Sequence, residues 1–255
     1  MALTRTNAFI IQSKRFRETS LFIIYYTLNF GKINAIAKGV IGTKKPPLFH
    51  LFPSYVELFL YRKESALSLV SSSDLLDPFP KLHQDLKKLS YSLYILELLK
   101  ETIKENEKNS SLFWLLLKTF KLLEEAEEPN LIELVLVAFQ LKFLKVLGYG
   151  PFLNNCVSCQ EKIEKNLPSL RLSAKAGGVL CRRCSRDAGE SLSIGYPLVA
   201  LMNYLLDLKF SLLPRLKVPV NLRKELIKYV NYFRTYHLPV SQKSLELLKS
   251  IEENA

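Results

Sequence analysis

The four cysteines of this 255-residue chain fall in two pairs, Cys156-Val-Ser-Cys159 and Cys181-Arg-Arg-Cys184. Two thiolates three positions apart on a tight turn can point at one ion, and two such turns complete a tetrahedral site. The stretch between the pairs leaves room for a small hairpin, and Gly177-Gly178 turns the chain just ahead of the second pair. A four-thiolate set has no open coordination position, so the pattern predicts structural Zn2+. Two disulfides or four reduced, buried thiols are the alternatives. Disulfides need an oxidising compartment, and nothing in the chain suggests export. Bound zinc would supply much of the local folding energy, because so short a segment has little core of its own.

Charge is the second constraint. The formal net charge is +12, and residues 1–50 carry Arg5, Lys14, Arg15, Arg17, Lys32, Lys38, Lys44 and Lys45 against the single acid Glu18. That segment alone holds +7, and a concentrated excess reads as a binding face for a polyanion. Lys14, Arg15, Arg17, Lys38, Lys44 and Lys45 are the candidate phosphate contacts, and Phe16 among them is a candidate for base stacking or for the core. For each cation taken singly, the plain alternative is a solvated surface charge. No apolar run reaches transmembrane length, and no long apolar region precedes Lys14 and Arg15, so a cytoplasmic protein without a signal peptide is expected.

In chain order, residues 1 to about 78 read as β. Short apolar runs at 8–12, 21–27, 33–37, 55–61 and 66–70, with no helical period among them, predict a small closed barrel. The loop from Gly39 to Pro53 is long and basic. Asp77-Pro-Phe-Pro80 ends the strands. Leu82, Leu86, Leu89, Leu93 and Leu96 then mark one helical face. Ser110 and Ser111 can cap a second helix, and Asn130 with Glu133 forms a capping-box variant opening a third. That third helix, apolar on nearly every side from Leu131 to Leu147, is expected at the centre of a bundle and is ended by Gly148. Helices resume at about 195–210 and 220–236, and Ser241 can cap a last one with Leu245, Leu248 and Ile251 on one face. The expected architecture is α+β and multidomain: an OB-fold β-barrel over 1–79, an all-α helical domain over 80–151 and 191–255, and a zinc-ribbon-like module inserted at 152–190.

No P-loop, H-E-x-x-H or G-x-S-x-G motif is present, and His50, His83 and His237 have no ligand spacing to one another or to a cysteine. A non-enzymatic role is therefore expected. An RNA-binding or ribosome-associated zinc protein with an OB fold fits charge, barrel and ribbon equally well.

The ordered pieces carry a resemblance. Arg15-Phe-Arg-Glu18 with Thr19-Ser20 comes first, then Thr27, Gly31 and Ala37-Lys38-Gly39. Ala138-Phe-Gln-Leu-Lys-Phe-Leu-Lys-Val-Leu-Gly-Tyr149 leads through Pro151 and Leu153 to Cys156, and Gly177-Gly-Val-Leu-Cys181 follows. Tyr229, Tyr232, His237-Leu238 and Lys243-Ser244 stand near the end. This set, covering almost the whole chain, resembles the RecO family of bacterial recombination mediators. The loop after Gly39, often arginine-rich in that family, offers Lys44 and Lys45 here, and Gln140 stands where the family often has an acid. The resemblance implies an N-terminal OB fold and a helical domain carrying the zinc module. It implies binding of single- and double-stranded DNA, annealing of complementary strands, and loading of RecA together with RecR. It also implies engagement of the acidic C-terminal tail of single-strand-binding protein. Such a tail wants an apolar pocket edged by cations, for which Lys142, Lys145, Lys118 and Lys121 are candidates, although a lysine extended off a bundle helix explains each equally well. Arg182, Arg183 and Arg186 either extend a DNA surface or keep the module soluble. The implied place is the cytoplasm, at the nucleoid.

Overall fold

A computed structural model describes residues 3–41, 52–62, 67–167, 169–186 and 189–240, with Lys243, Glu246 and Ser250 beyond. The chain divides into two compact units, the first of Met1–Glu124 with Val240–Ala255 and the second running from Glu125 to Pro239. Lys44, Lys45 and His50, and Ser241, Leu245, Leu248 and Ile251 of the last expected helix, lie outside the described residues.

Five strands close the barrel of the first unit: β1 Leu3–Phe16, β2 Ser20–Thr27, β3 Gly31–Ala37, β4 Tyr55–Tyr61 and β5 Ser68–Asp77. Their order is β1-β2-β3-β5-β4, with a parallel β3–β5 pair and antiparallel neighbours elsewhere, as the five-stranded OB barrel requires. The alternation of apolar residues explains the closure. Ala8, Ile10, Leu21, Ile23, Tyr25, Ile33, Ala35, Val56, Leu58 and Leu60 all point inward and are buried. Burying each of the larger ones is worth about 1.5–3 kcal/mol relative to leaving it in water.

β1 runs further than its apolar run, from Leu3 to Phe16, because a bulge between Ile10 and Gln12 resets its register against β2. On the outer side, Phe9 meets Phe113 and Phe120 at ring distances of 5.1 and 5.5 Å, and the Tyr26 hydroxyl donates to the Asn109 carbonyl. These partners belong to α3, Ser110–Glu125, and its entry, which follow α1, Pro80–Gln84, and α2, Leu86–Thr102.

Two sequence expectations need correction here. The leucine spacing from Leu82 to Leu96 marks the buried face only at its ends, where Leu82 and Leu96 are buried. Asp85 caps α2 and breaks that run, leaving Leu86 45% exposed, while Lys88, Ser92, Ile95 and Leu99 turn inward. Lys88 is tolerated there because its Nζ reaches the Glu124 carbonyl at 3.1 Å. The cap of α3 is Asn109, whose Oδ1 accepts from the Leu112 N–H at 2.9 Å, so Ser110 is already helical.

The second unit is built on α4, Pro129–Val146. Eleven of its residues are buried, from Ile132 to Leu144, so the all-round apolar sequence does make a central helix. The capping box expected of Asn130 and Glu133 is absent. Pro129 opens the helix without a side-chain cap, and Glu133 instead accepts from Arg223 Nε at 3.0 Å. Around α4 lie α5, Tyr196–Asp207, a 3-10 segment, Phe210–Arg215, and α6, Val220–His237. A three-stranded sheet, ordered β7-β6-β8, sits in the insert, with β6 Leu170–Ser173, β7 Gly178–Leu180 and β8 Leu192–Ile194. Among the described residues no helix is long and apolar enough to cross a membrane.

Candidate metal centre and nucleic-acid interface

The insert folds so that its two cysteine pairs converge. Gly177, at φ +83°, turns β6 into β7, and a Cβ on Gly178 would lie 2.2 Å from the Phe152 carbonyl oxygen. That close approach brings the first knuckle onto β7. The Val157 N–H donates to the Val179 carbonyl at 2.9 Å, and the Cys181 N–H points at Cys156 Sγ at 3.4 Å. Each knuckle closes on its own backbone, Gln160 N–H to the Cys156 carbonyl and Ser185 N–H to the Cys181 carbonyl. The result places all four Sγ atoms within 4.8 Å of one another.

Cys159 and Cys181 Sγ are 3.7 Å apart. A disulfide would need about 2.05 Å. A tetrahedral ion with Zn–S of about 2.3 Å would place neighbouring sulfurs about 3.8 Å apart. The spacing therefore fits a metal held by four thiolates and not paired disulfides, and all four cysteines are free. Cys156 and Cys181 are buried while Cys159 and Cys184 are half-exposed.

The electrostatics are uneven. The backbone hydrogen bond from Glu161, with the Arg183 guanidinium beside it, holds the Cys159 thiol down to about 6. Burial pushes Cys181 up to about 12. Arg183, read from sequence as a surface or DNA residue, leans on the Cys159 and Cys184 sulfurs. A dication would displace the remaining protons.

Four basic residues of the barrel gather at one end of it. Arg15, Leu21 and Ala37 lie in one cross-strand row, Arg17 stands in the β1–β2 turn, and Lys38 follows β3 directly. The Val40 and Ile41 N–H groups both donate to the Thr19 carbonyl, tying the segment after Lys38 to that turn. Lys14, Arg15, Arg17 and Lys38 are all exposed. Arg17 lies over the Phe16 ring at 5.4 Å, and Lys14 Nζ lies over the Phe22 ring at 5.1 Å.

Phe22 is the residue that sequence reasoning missed. It is half-exposed on the outer face, opposite Lys14 on one side and Ile36 on the other. Its signal was present in the alternation: Leu21, Ile23 and Tyr25 point inward, so Phe22 and Ile24 point out. Not every cation of the segment is available. Arg5 pairs with Glu57 at 2.5 Å. Lys32 Nζ donates to the Lys100 carbonyl at 2.6 Å, and burial holds its ammonium below the usual lysine range.

The lysines expected at a tail-binding pocket fall two in each unit. On α4, Lys142 Nζ donates to the Leu206 carbonyl at 2.9 Å and Lys145 pairs with Asp207 at 2.6 Å. Lys118 and Lys121 are exposed on α3, in the first unit. A cavity of about 340 Å³ in the second unit is lined by Leu131, Leu134, Leu216, Lys217, Val218 and Arg223, and by neither α4 lysine.

A closed OB barrel with a cationic, aromatic end, joined to helices that carry a four-thiolate module, defines a class of chain in which a barrel and a cysteine-ligated insert occur together. The comparisons give its family. The model "Recombination protein O N terminal" matches residues 1–79, and "Recombination protein O C terminal" matches residues 83–246. A DNA repair protein RecO of Alkaliphilus metalliredigens is 35% identical, covering 98% of this chain and 100% of its own. A DNA repair protein RecO of Clostridium perfringens is 30% identical over 99% of this chain and 100% of its own. One of Caldanaerobacter subterraneus is 26% identical over 99% and 100%. The chain belongs to the RecO family of DNA repair proteins.

Proposed function

We propose that this chain is a non-catalytic mediator that binds single- and double-stranded DNA, anneals complementary strands coated with single-strand-binding protein, and acts with RecR in loading RecA. The observation that carries the reading is the end of the barrel, where Lys14, Arg15, Arg17 and Lys38 surround the half-exposed rings of Phe16 and Phe22. Such cations neutralise phosphates and release counterions without reading sequence, while an aromatic ring stacks on any base for about 1–3 kcal/mol. Lys44 and Lys45 are assigned to the same role. Annealing needs no catalytic group, only a surface that neutralises backbones and leaves base edges free to pair.

The metal is assigned as zinc in a structural role, held by Cys156, Cys159, Cys181 and Cys184, with closure of the insert as its contribution. The acidic tail of single-strand-binding protein is assigned to the second unit with Lys142 as the position to test. An unchanged tail-peptide affinity after Lys142→Ala would remove it. The proposed location is the cytoplasm, at the nucleoid.

The test is annealing of two complementary oligonucleotides, each precoated with single-strand-binding protein, with and without this chain and without nucleotide. Acceleration that weakens as salt rises is expected. DNA binding without acceleration would overturn the mediator reading, and equal or tighter affinity for RNA of the same length would favour an RNA-binding role.

A further inference from the structure

The +12 charge is carried by two segments. Residues 1–50 hold +7. Residues 208–240 hold Lys209, Arg215, Lys217, Arg223, Lys224, Lys228 and Arg234 against the single acid Glu225, which is +6, and the rest of the chain sums to −1. Of the first, Lys14, Arg15, Arg17 and Lys38 stand at the barrel end of the first unit. The second is the 3-10 segment and α6 of the second unit.

Two of those seven cations are engaged inside the unit. Arg223 pairs with Glu133, and buried Arg234 donates through Nη1 to the Leu238 carbonyl. Lys209, Arg215, Lys217, Lys224 and Lys228 are exposed, and among the described residues none of the five forms an ion pair. Lys228 Nζ lies 6.0 Å from the Tyr229 ring, and Tyr229 is half-exposed.

Local stability does not explain this arrangement. Lys224 and Lys228 stand one turn apart on the same helical face, where like charges repel. The first turn of α6 carries no acid to complement the helix dipole, and Arg223 and Lys224 bring positive charge close to that end. A helix that works against its own electrostatics in this way is matched to an external partner.

The spread of charge selects the partner. The cavity lined by Lys217 and Arg223 has room for one apolar side chain, but Lys209, Arg215, Lys224 and Lys228 do not line it. The exposed cations run from Lys209 through the 3-10 segment to Lys224 and Lys228 in the first half of α6, a spread that suits a phosphate backbone better than a single pocketed side chain. We propose that the 3-10 segment and α6 of the second unit form a second strand-binding surface, in addition to the barrel end of the first. One molecule would then hold two nucleic-acid strands. This rests on the nucleic-acid reading of the barrel.

The test uses the full chain with Lys224→Glu and Lys228→Glu together. The matched control, Lys165→Glu with Lys175→Glu, makes the same charge change at exposed positions of the insert. Binding of one limiting labelled single strand is measured first, then the annealing rate of two bare complementary oligonucleotides. In the α6 variant, first-strand affinity should stay within about threefold of the wild type while annealing slows by about tenfold or more, and the control should change neither. Wild-type annealing by the α6 variant overturns the second surface. So does a variant that anneals normally but loses affinity for an acidic peptide, which would make α6 a peptide-docking face. A wild-type chain that binds no single strand fails the barrel reading itself, and melting curves verify that both variants fold.

Discussion

At the scale of single residues, Phe22 gives the sharpest test of the barrel face. Phe22→Ala should weaken single-strand binding by about 1–3 kcal/mol, read as a drop in affinity at fixed salt, and leave the salt slope unchanged because no phosphate contact is lost. Lys14→Ala should do the reverse, reducing the slope by about 0.7 for a single strand. The metal ligands make a separate prediction. Cys181→Ser should abolish stoichiometric zinc in the purified protein and lower its melting temperature, as metal analysis and a thermal scan would show. Because each ligand must shed its proton, metal should be released as pH falls, and a chromogenic chelator would detect it. His237 tests the acid side of folding. Its ring stacks against Tyr149 at 5.2 Å and meets Phe233 at 4.7 Å, and burial lowers its pKa below the usual 6.5. A depressed histidine pKa means that the unfolded chain binds the proton more readily. The associated stability is therefore complete above about pH 6.5 and is lost as pH falls towards the folded value. His237→Phe should flatten the dependence of melting temperature on pH between about 5 and 7.

At the scale of elements, the sequence was most legible where period alone decides. The inward set of the barrel follows from strict alternation, and the buried α4 follows from a helix apolar all round. The convergence of the four cysteines was legible, since spacing limits what two knuckles can do. Legibility ended where two local signals competed. The leucines at 82–96 share a helical spacing, but Asp85 interrupts the helix, so the true inward face begins at Lys88. Asn109 and Ser110 are both good caps, and only the packing of α3 on Phe9 decides between them. The outward position of Phe22 follows from the alternation of β2 once its inward face is known, and only the closed core fixes that face. Gly31 shows a constraint of the same scale. It has φ +67°, and a Cβ there would lie 2.1 Å from the Glu107 carbonyl oxygen in the connection between α2 and α3. Gly31→Ala should cost about 1–3 kcal/mol in denaturant unfolding, because either the turn or that connection must move.

At the scale of the whole molecule, the distribution of charge was only half legible. The excess over residues 1–50 stood out because a single acid interrupts it. The +6 over residues 208–240 took on meaning only when burial separated the engaged Arg223 and Arg234 from the exposed cations. The closed barrel has a consequence of a different kind. A protein that gathers on one long polymer reaches local concentrations far above its bulk value, and open sheet edges under such crowding invite strands of neighbouring copies to zip together. In β1-β2-β3-β5-β4 every strand has a neighbour on both sides, so among the described residues no strand of the barrel is left as an edge strand for that templating. On the proposed strand-binding reading, copies gathered along one strand of DNA would not join barrel to barrel through an unpaired edge strand.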